Sequence, residues 1–242
     1  MIDSQYYRAV VRASERLSDA VDALEFKSPV THVYTPLRYA WSGHRRYLEK
    51  FACSRKKILF MGMNPGPFGM AQTGVPFGDI KMVREWMGIE ENISEPEITD
   101  PKRPVEGFAC KRSEVSGSRF WGFFAEHYPV AGDFFTDHFV SNYCPLVFME
   151  ASGSNRTPDK LTATEISKLY SVCDQYFCDL VDALQPDWVL GVGVFAEVRA
   201  KKALSKYNLN IGRILHPSPA SPAANRGWAK QAENQLKNLD IW

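Results

Sequence analysis

Asn64, Asn142 and His216 each stand where a short apolar run breaks towards proline: ILFMGMN before Pro65, FVSN ahead of Pro145, and IGRILH before Pro217. A carboxamide offers an acceptor and a donor side by side but cannot act as a base, whereas an imidazole can donate or accept near neutrality. Polar residues fixed at strand ends in this way are well placed to touch a ligand. Taken singly, Asn64-Pro65-Gly66-Pro67 is satisfied as a tight turn, Asn142 as a cap or turn, and His216 as a hydrogen-bonded loop histidine. The stretch after Asn64 changes that reading. Gly66, Gly69, Gly74 and Gly78 space a loop that also carries Phe68, Met70, Val75 and Phe77. Solvated loops seldom hold such side chains. An apolar ring beside a strand end is a stacking surface for a flat ligand, and a nucleobase is the commonest one.

Four apolar runs must position these residues: the one that starts at Ile58, then Phe139 to Leu146, Trp188 to Val192, and Ile211 to Leu215. Helical patterns lie around them. Asp3 to Phe26 has Val10, Ala13, Leu17, Val21 and Leu24 at three-to-four spacing, and Ile80 to Met87 carries a shorter pattern. Arg112 to Phe124 reads as a helix start capped by Ser116 or Ser118. Leu161 to Leu184 is a long helix closed by Pro186, followed by helices at Phe195 to Leu204 and Trp228 to Leu239. Glu90 to Pro104 lacks periodicity and reads as a surface loop. Strands alternating with helices predict an α/β fold of three αβα layers about a four-stranded, mostly parallel sheet, as a single domain over residues 1–242. The carboxyl ends of such strands collect ligand-binding loops, so Asn64, Asn142 and His216 are expected to converge.

Lys+Arg 29 against Asp+Glu 28 leave a formal net charge of +1, so a polyanionic partner has to meet a local patch. A hydrophobic content of 45% excludes a disordered chain, and no apolar run approaches the ~20 residues of a membrane span. The opening MIDSQYYRAVVRASERL is charged throughout, which predicts a soluble, untargeted protein. Cys53, Cys110, Cys144, Cys173 and Cys178 are odd in number and scattered without a C-x-x-C pair. They predict reduced thiols, and neither metal nor cofactor is expected.

Gly191-Val192-Gly193 lacks the third glycine of a dinucleotide fingerprint, and the patterns G-x-S-x-G, G-K-S/T and H-E-x-x-H do not occur. Three other segments stand out: GMNPGPFGMAQTGVPFGD (Gly62 to Asp79), SNYCPL (Ser141 to Leu146) and HPSPASPAANRGW (His216 to Trp228). With EVSGSRFWG (Glu114 to Gly122) and GVGVFAEVRAKKAL (Gly191 to Leu204), they resemble the single-strand-selective monofunctional uracil-DNA glycosylases over most of the chain after residue 55.

The resemblance implies a uracil-DNA glycosylase-like fold and hydrolysis of the N-glycosidic bond of uracil and 5-hydroxymethyluracil, with other deaminated bases as extensions. The substrate is single- or double-stranded DNA, the base is flipped out, and an abasic site remains. By family role, Asn64 positions the attacking water and His216 stabilises the departing base. Phe77 stacks on that base, Asn142 reads its pairing edge, and Met63 and Gly66 line the pocket. The segment Pro217, Ser218, Pro219, Ala220, Ser221 to Gly227 is the DNA-inserting loop. Lys111, Arg112, Arg119, Lys201, Lys202, Arg226 and Lys230 are candidate phosphate contacts. Vertebrate relatives carry an arginine at the position matching Ala220, so the wedge chemistry differs here. No lysine stands in these motifs as an amine nucleophile, in keeping with a monofunctional enzyme. The resemblance also implies a monomer that acts on DNA and meets no membrane, in the cytoplasm of a bacterium or the nucleus of a eukaryote. The alternative on the same fold is a catalytically silent nucleobase- or nucleotide-binding module.

Overall fold

The computed structural model describes residues 4–242. In chain order its elements are α1 (Gln5–Asp22), β1 (Val30–Tyr34), α2 (Pro36–Tyr39), α3 (Trp41–Phe51), β2 (Ile58–Gly62), α4 (Met70–Thr73), α5 (Val115–His127), α6 (Ala131–Asp137) and β3 (His138–Asn142). They continue with β4 (Val147–Glu150), β5 (Asn155–Arg156), α7 (Ala163–Leu184), β6 (Trp188–Val192), α8 (Val194–Ala203), β7 (Asn210–Ile214) and α9 (Trp228–Asn238). The four expected strands form one sheet in the order β3-β2-β6-β7, and every pairing in it is parallel.

β2 and β3 are buried along their whole length, which is why they read as continuous apolar runs. Leu59 pairs with Phe139 and Phe60 with Val140, so Phe60 and Phe139 point to opposite faces of the sheet. Phe60 meets Phe120 and Phe124 of α5 at ring-centroid distances of 5.9 and 5.3 Å, whereas Phe139 meets Tyr47 of α3 at 5.3 Å. Helices therefore cover both faces. These rings are essentially sealed from water, and each stabilises the fold by roughly 1.5–3 kcal/mol. The amphipathic α1 lies along α7, which starts with a capping box between Thr162 and Glu165.

Several expectations are corrected. The first helix spans Gln5–Asp22, and Asp3 lies outside the described residues. The second strand stops at Asn142; beyond it, Tyr143 and Cys144 N–H groups still bond to Gly62 O (3.0 Å) and Met63 O (2.9 Å). Ile80 to Met87 is helical from Ile80 to Trp86, as expected, but as a π-helix over Met82–Trp86, entered where the Asp79 carboxylate accepts from the Met82 N–H (3.4 Å). α5 begins at Val115 without a side-chain cap, so Ser116 and Ser118 lie inside it. A second, antiparallel sheet, β1-β4-β5, was unforeseen. Glu90 to Pro104 holds no helix or strand but is anchored through Tyr34, whose hydroxyl accepts from Asp100 N–H and donates to Arg103 O, both at 2.8 Å.

Candidate active site

Because β2 and β3 are parallel and in register, Gly62 lies opposite Asn142, and the loops leaving both strands run on together. Asn64 is held by its amide nitrogen, which donates to Pro65 O (3.2 Å) and Leu146 O (3.1 Å). Two carbonyls on one side demand the nitrogen there. Both amide protons are then used, and Oδ1 remains as an acceptor for a ligand or a water. The Asn142 amide is 6% exposed and donates one bond to Met70 Sδ at 3.4 Å.

Phe77 sits in left-handed backbone, φ 52°, a conformation that costs a bulky residue on the order of 1–3 kcal/mol and that clusters at functional sites. Its surroundings enforce it. Asp79 N–H bonds Phe77 O (2.7 Å), Trp121 Nε1–H bonds the neighbouring Pro76 O (3.2 Å), and the ring stacks on Phe120 at 4.7 Å and 12°. Gly62 completes the arrangement. A β-carbon there would lie 2.4 Å from Asn142 Oδ1 and 2.8 Å from the Phe77 ring, so only glycine lets the amide and the ring close over the strand end.

His216 follows β7 and lies 6.1 Å from the Phe77 ring. The Ser218 N–H donates to its Nδ1 (3.1 Å), which puts the proton of the neutral ring on Nε2. Burial lowers this imidazole to about 4, so it is uncharged at neutral pH.

Met63, Asn64, Gly66, Phe77, Asn142 and His216 all line one cleft of about 450 Å³, together with Ser218, Ala220 and Ser221 of the following loop. Pro217 is buried, and Pro217, Pro219 and Arg226 do not line it. Pro65, Glu114, Ser116, Asn155 and Thr157 do, although sequence patterning singled out none of them. The apolar loop is mostly core: Met70 and Val75 are buried, and Phe68 lies under the Arg112 guanidinium, 4.1 Å from the ring centre. Of those four side chains only Phe77 faces the cleft. Besides Arg112, two further candidate phosphate contacts have other partners. Arg119 donates to Pro217 O (3.1 Å) and Asn225 Oδ1 (2.9 Å), bracing the loop, and Lys201 pairs with Glu197 at 2.7 Å. Lys111, Lys202, Arg226 and Lys230 are exposed. A larger open hollow of about 870 Å³ shares no residue with this cleft; its Arg45 and Arg46 are paired with Glu49. No described helix is long and apolar enough to cross a membrane.

Residues 49–238 match the model of the Uracil DNA glycosylase superfamily. The single-strand selective monofunctional uracil-DNA glycosylase of Rattus norvegicus is 46% identical over 228 residues, 93% of this chain and 82% of that one. Its counterpart from Bos taurus is also 46% identical, over 93% of this chain and 84% of its own. The crystal structure of Pedobacter heparinus SMUG2 shares the fold, with a TM-score of 0.66 and 18% identity over 95% of this chain and 99% of that one. The chain belongs to the uracil DNA glycosylase superfamily and, within it, to the family of single-strand selective monofunctional uracil-DNA glycosylases.

Proposed function

We propose that this chain is a monofunctional uracil-DNA glycosylase of base excision repair, acting as a single-domain monomer on uracil and 5-hydroxymethyluracil in single- and double-stranded DNA. The observation that carries this reading is the convergence on one cleft of Asn64, whose Oδ1 is the free end of a pinned amide, the Asn142 amide, the Phe77 ring and a neutral His216.

A base inside a duplex cannot be attacked, so it is flipped out at a cost of a few kcal/mol, least for mismatched or single-stranded bases. Phe77, backed by Phe120, stacks on the extruded ring. Uracil presents an O4 acceptor beside an N3–H donor, which the nitrogen and oxygen of the Asn142 amide can meet together. Cytosine presents the reverse and would leave buried polar groups unpaired. As the C1′–N1 bond breaks, its electron pair leaves with the base, and the sugar becomes oxocarbenium-like. The oxygen of a water oriented by Asn64 Oδ1 joins C1′. Asn64 takes no proton, so the water's proton is released and the departing base anion is protonated from solvent. The His216 Nε2–H, directed at O2, stabilises that anion, and leaving-group stabilisation carries most of the rate.

The loop after His216 suits insertion into DNA because its shape is set in advance. Ser221 N–H bonds Ser218 O (3.0 Å), Asn225 Nδ2 bonds Pro219 O (2.8 Å), and Arg119 clamps both ends. With Ala220 in place of an arginine, it acts through bulk and backbone. Incubation with oligonucleotides bearing one uracil, followed by alkaline cleavage of the abasic product, tests the reading: strand cleavage supports it. No cleavage with uracil, 5-hydroxymethyluracil or deaminated purines leaves the silent base-binding module in its place.

A further inference from the structure

The Asn142 amide is nearly closed off from solvent, yet the bond that its nitrogen makes is to a thioether sulfur, a weak acceptor. Its direction has to come from the backbone that follows it. Tyr143 and Cys144 run on beside the β2 loop through their N–H bonds to Gly62 O and Met63 O, and a little further along Leu146 O receives the Asn64 amide. Tyr143 anchors this stretch. Its ring is sealed from water, and its hydroxyl donates to Asp174 Oδ1 of α7 (2.6 Å) and accepts from Arg199 Nε of α8 (3.1 Å). Arg199 Nη2 in turn bonds Asp174 Oδ2, which closes a ring of side chains drawn from three segments of the chain. The Arg199 side chain is 11% exposed, and its guanidinium lies 4.3 Å from the centre of the Tyr170 ring. Burial, and after it the bond to Asp174, raise the Tyr143 hydroxyl above the usual phenol range, so it keeps its proton and remains a donor.

Tyr143, Asp174 and Arg199 do not line the base cleft, so they touch no base. An ion pair shielded from water is often matched or bettered in stability by apolar side chains of the same size, whereas its hydrogen bonds fix direction. A phenylalanine at position 143 would fill nearly the same volume. What the hydroxyl adds is orientation. The inference rests on the proposed function, in which Asn142 presents its nitrogen to O4 and its oxygen to N3–H, and both bonds form only over a narrow range of amide angles. We propose that Asp174 and Arg199 are positioning residues, which act through the Tyr143 hydroxyl to hold the Asn142 amide at the angle that reads uracil. Two helices that never meet the base thereby set the geometry of its recognition. The effect is large enough to measure, since a displacement of about 1 Å in a reacting complex can cost about 10²-fold in rate.

A double-mutant cycle in single-turnover excision of uracil from a single-stranded oligonucleotide, with enzyme at saturation, tests this. It compares wild type, Tyr143→Phe, Asn142→Ala and the double variant. Tyr143→Phe lowers the rate by about tenfold while DNA affinity at the same salt is unchanged, and in the Asn142→Ala background it costs nothing more, because the amide it aims is gone. An equal loss in both backgrounds, or a wild-type rate in Tyr143→Phe, means that the network only supports the fold, and it overturns the assignment. If Tyr143→Phe shows no cooperative melting transition, Arg199→Lys takes its place, because lysine keeps a charge for Asp174 and gives up the Nε bond to the phenol; the same cycle then decides. A wild type that excises no uracil overturns the glycosylase reading itself. In that event, calorimetric binding of the free bases decides separately: a preference for uracil over cytosine that Tyr143→Phe weakens supports the assignment, and a preference it leaves unchanged, or no preference at all, overturns it.

Discussion

Acidifying the excision reaction tests the protonation state assigned to His216. An ordinary imidazole, with a pKa of about 6.5, goes from a few per cent protonated at pH 8 to nearly full protonation at pH 5. Lowered to about 4 by burial, His216 is only about one-tenth protonated at pH 5, and the difference amounts to roughly 3 kcal/mol against the imidazolium. Protonating Nδ1 would also turn it from the acceptor of the Ser218 N–H into a second donor facing it, which breaks the bond that aims the ring. Single-turnover excision of uracil from a single-stranded oligonucleotide, at fixed ionic strength from pH 8 to pH 5, is therefore expected to show no inflection near 6.5. The fold sets the lower limit. An unfolded histidine takes up its proton below about 6.5, whereas the folded one waits until about 4, so stability falls as the pH drops through that window. His44, also buried and lowered to about 4, acts in the same direction, so circular dichroism at each pH separates unfolding from chemistry. Glu114, which lines the same cleft and is pushed up to about 7 by burial, is replaced by Gln in a parallel series, and a clear inflection near 6.5 that persists there in protein that remains folded would refute the neutral, pre-aimed imidazole.

Gly62→Ala places a β-carbon 2.4 Å from Asn142 Oδ1 and 2.8 Å from Phe77. The buried strand cannot move aside, so excision falls by about 10²–10³ and the overpacking also costs roughly 1–3 kcal/mol of stability; wild-type rates would contradict the packing described. Gly66→Tyr, whose β-carbon points at Glu114, closes the C5 side and reduces excision of 5-hydroxymethyluracil more than that of uracil. Equal losses on both bases would indicate a misfolded turn. Ala220→Arg fills the gap left by a flipped base and raises excision from duplex DNA, with little change on single strands, which have no stack to plug. A fall on duplex, or an equal gain on both, would show that Ala220 does not face that gap.

Asn64, Asn142 and His216 were legible in the sequence because a parallel sheet sends its strand ends to one side, and apolar runs that break at Asn or His within three residues of a proline mark those ends. The chain order of the four strands and the helices α1, α5, α7, α8 and α9 followed from the same periodicity, whereas α3 and α6 were not read. Glu114 was not legible. Its environment is made by Gly66, Gly69 and Gly117, and no local pattern links those positions. The start of α5 was misplaced for a similar reason: its exposed backbone is met by Asp79, thirty-five residues away, so the serines that local rules favour as caps are inside the helix. The sheet β1-β4-β5 joins Tyr34 to Val147 and closes with a strand of two residues, too short to leave a pattern. Phe68, Met70 and Val75 looked like ligand-facing loop residues because composition cannot say which side of a loop meets the core.

The central claim is that a water-orienting amide at Asn64 and a neutral donor at His216 together break the bond between uracil and deoxyribose. Single-turnover excision by wild type, Asn64→Ala and His216→Ala, measured alongside DNA affinity at the same salt, tests it most directly. The expected result is abasic-site formation by wild type, a loss of about 10²–10³ in rate for each variant, and nearly unchanged affinity. Variants that excise as fast as wild type, or that lose binding in step with rate, would contradict it.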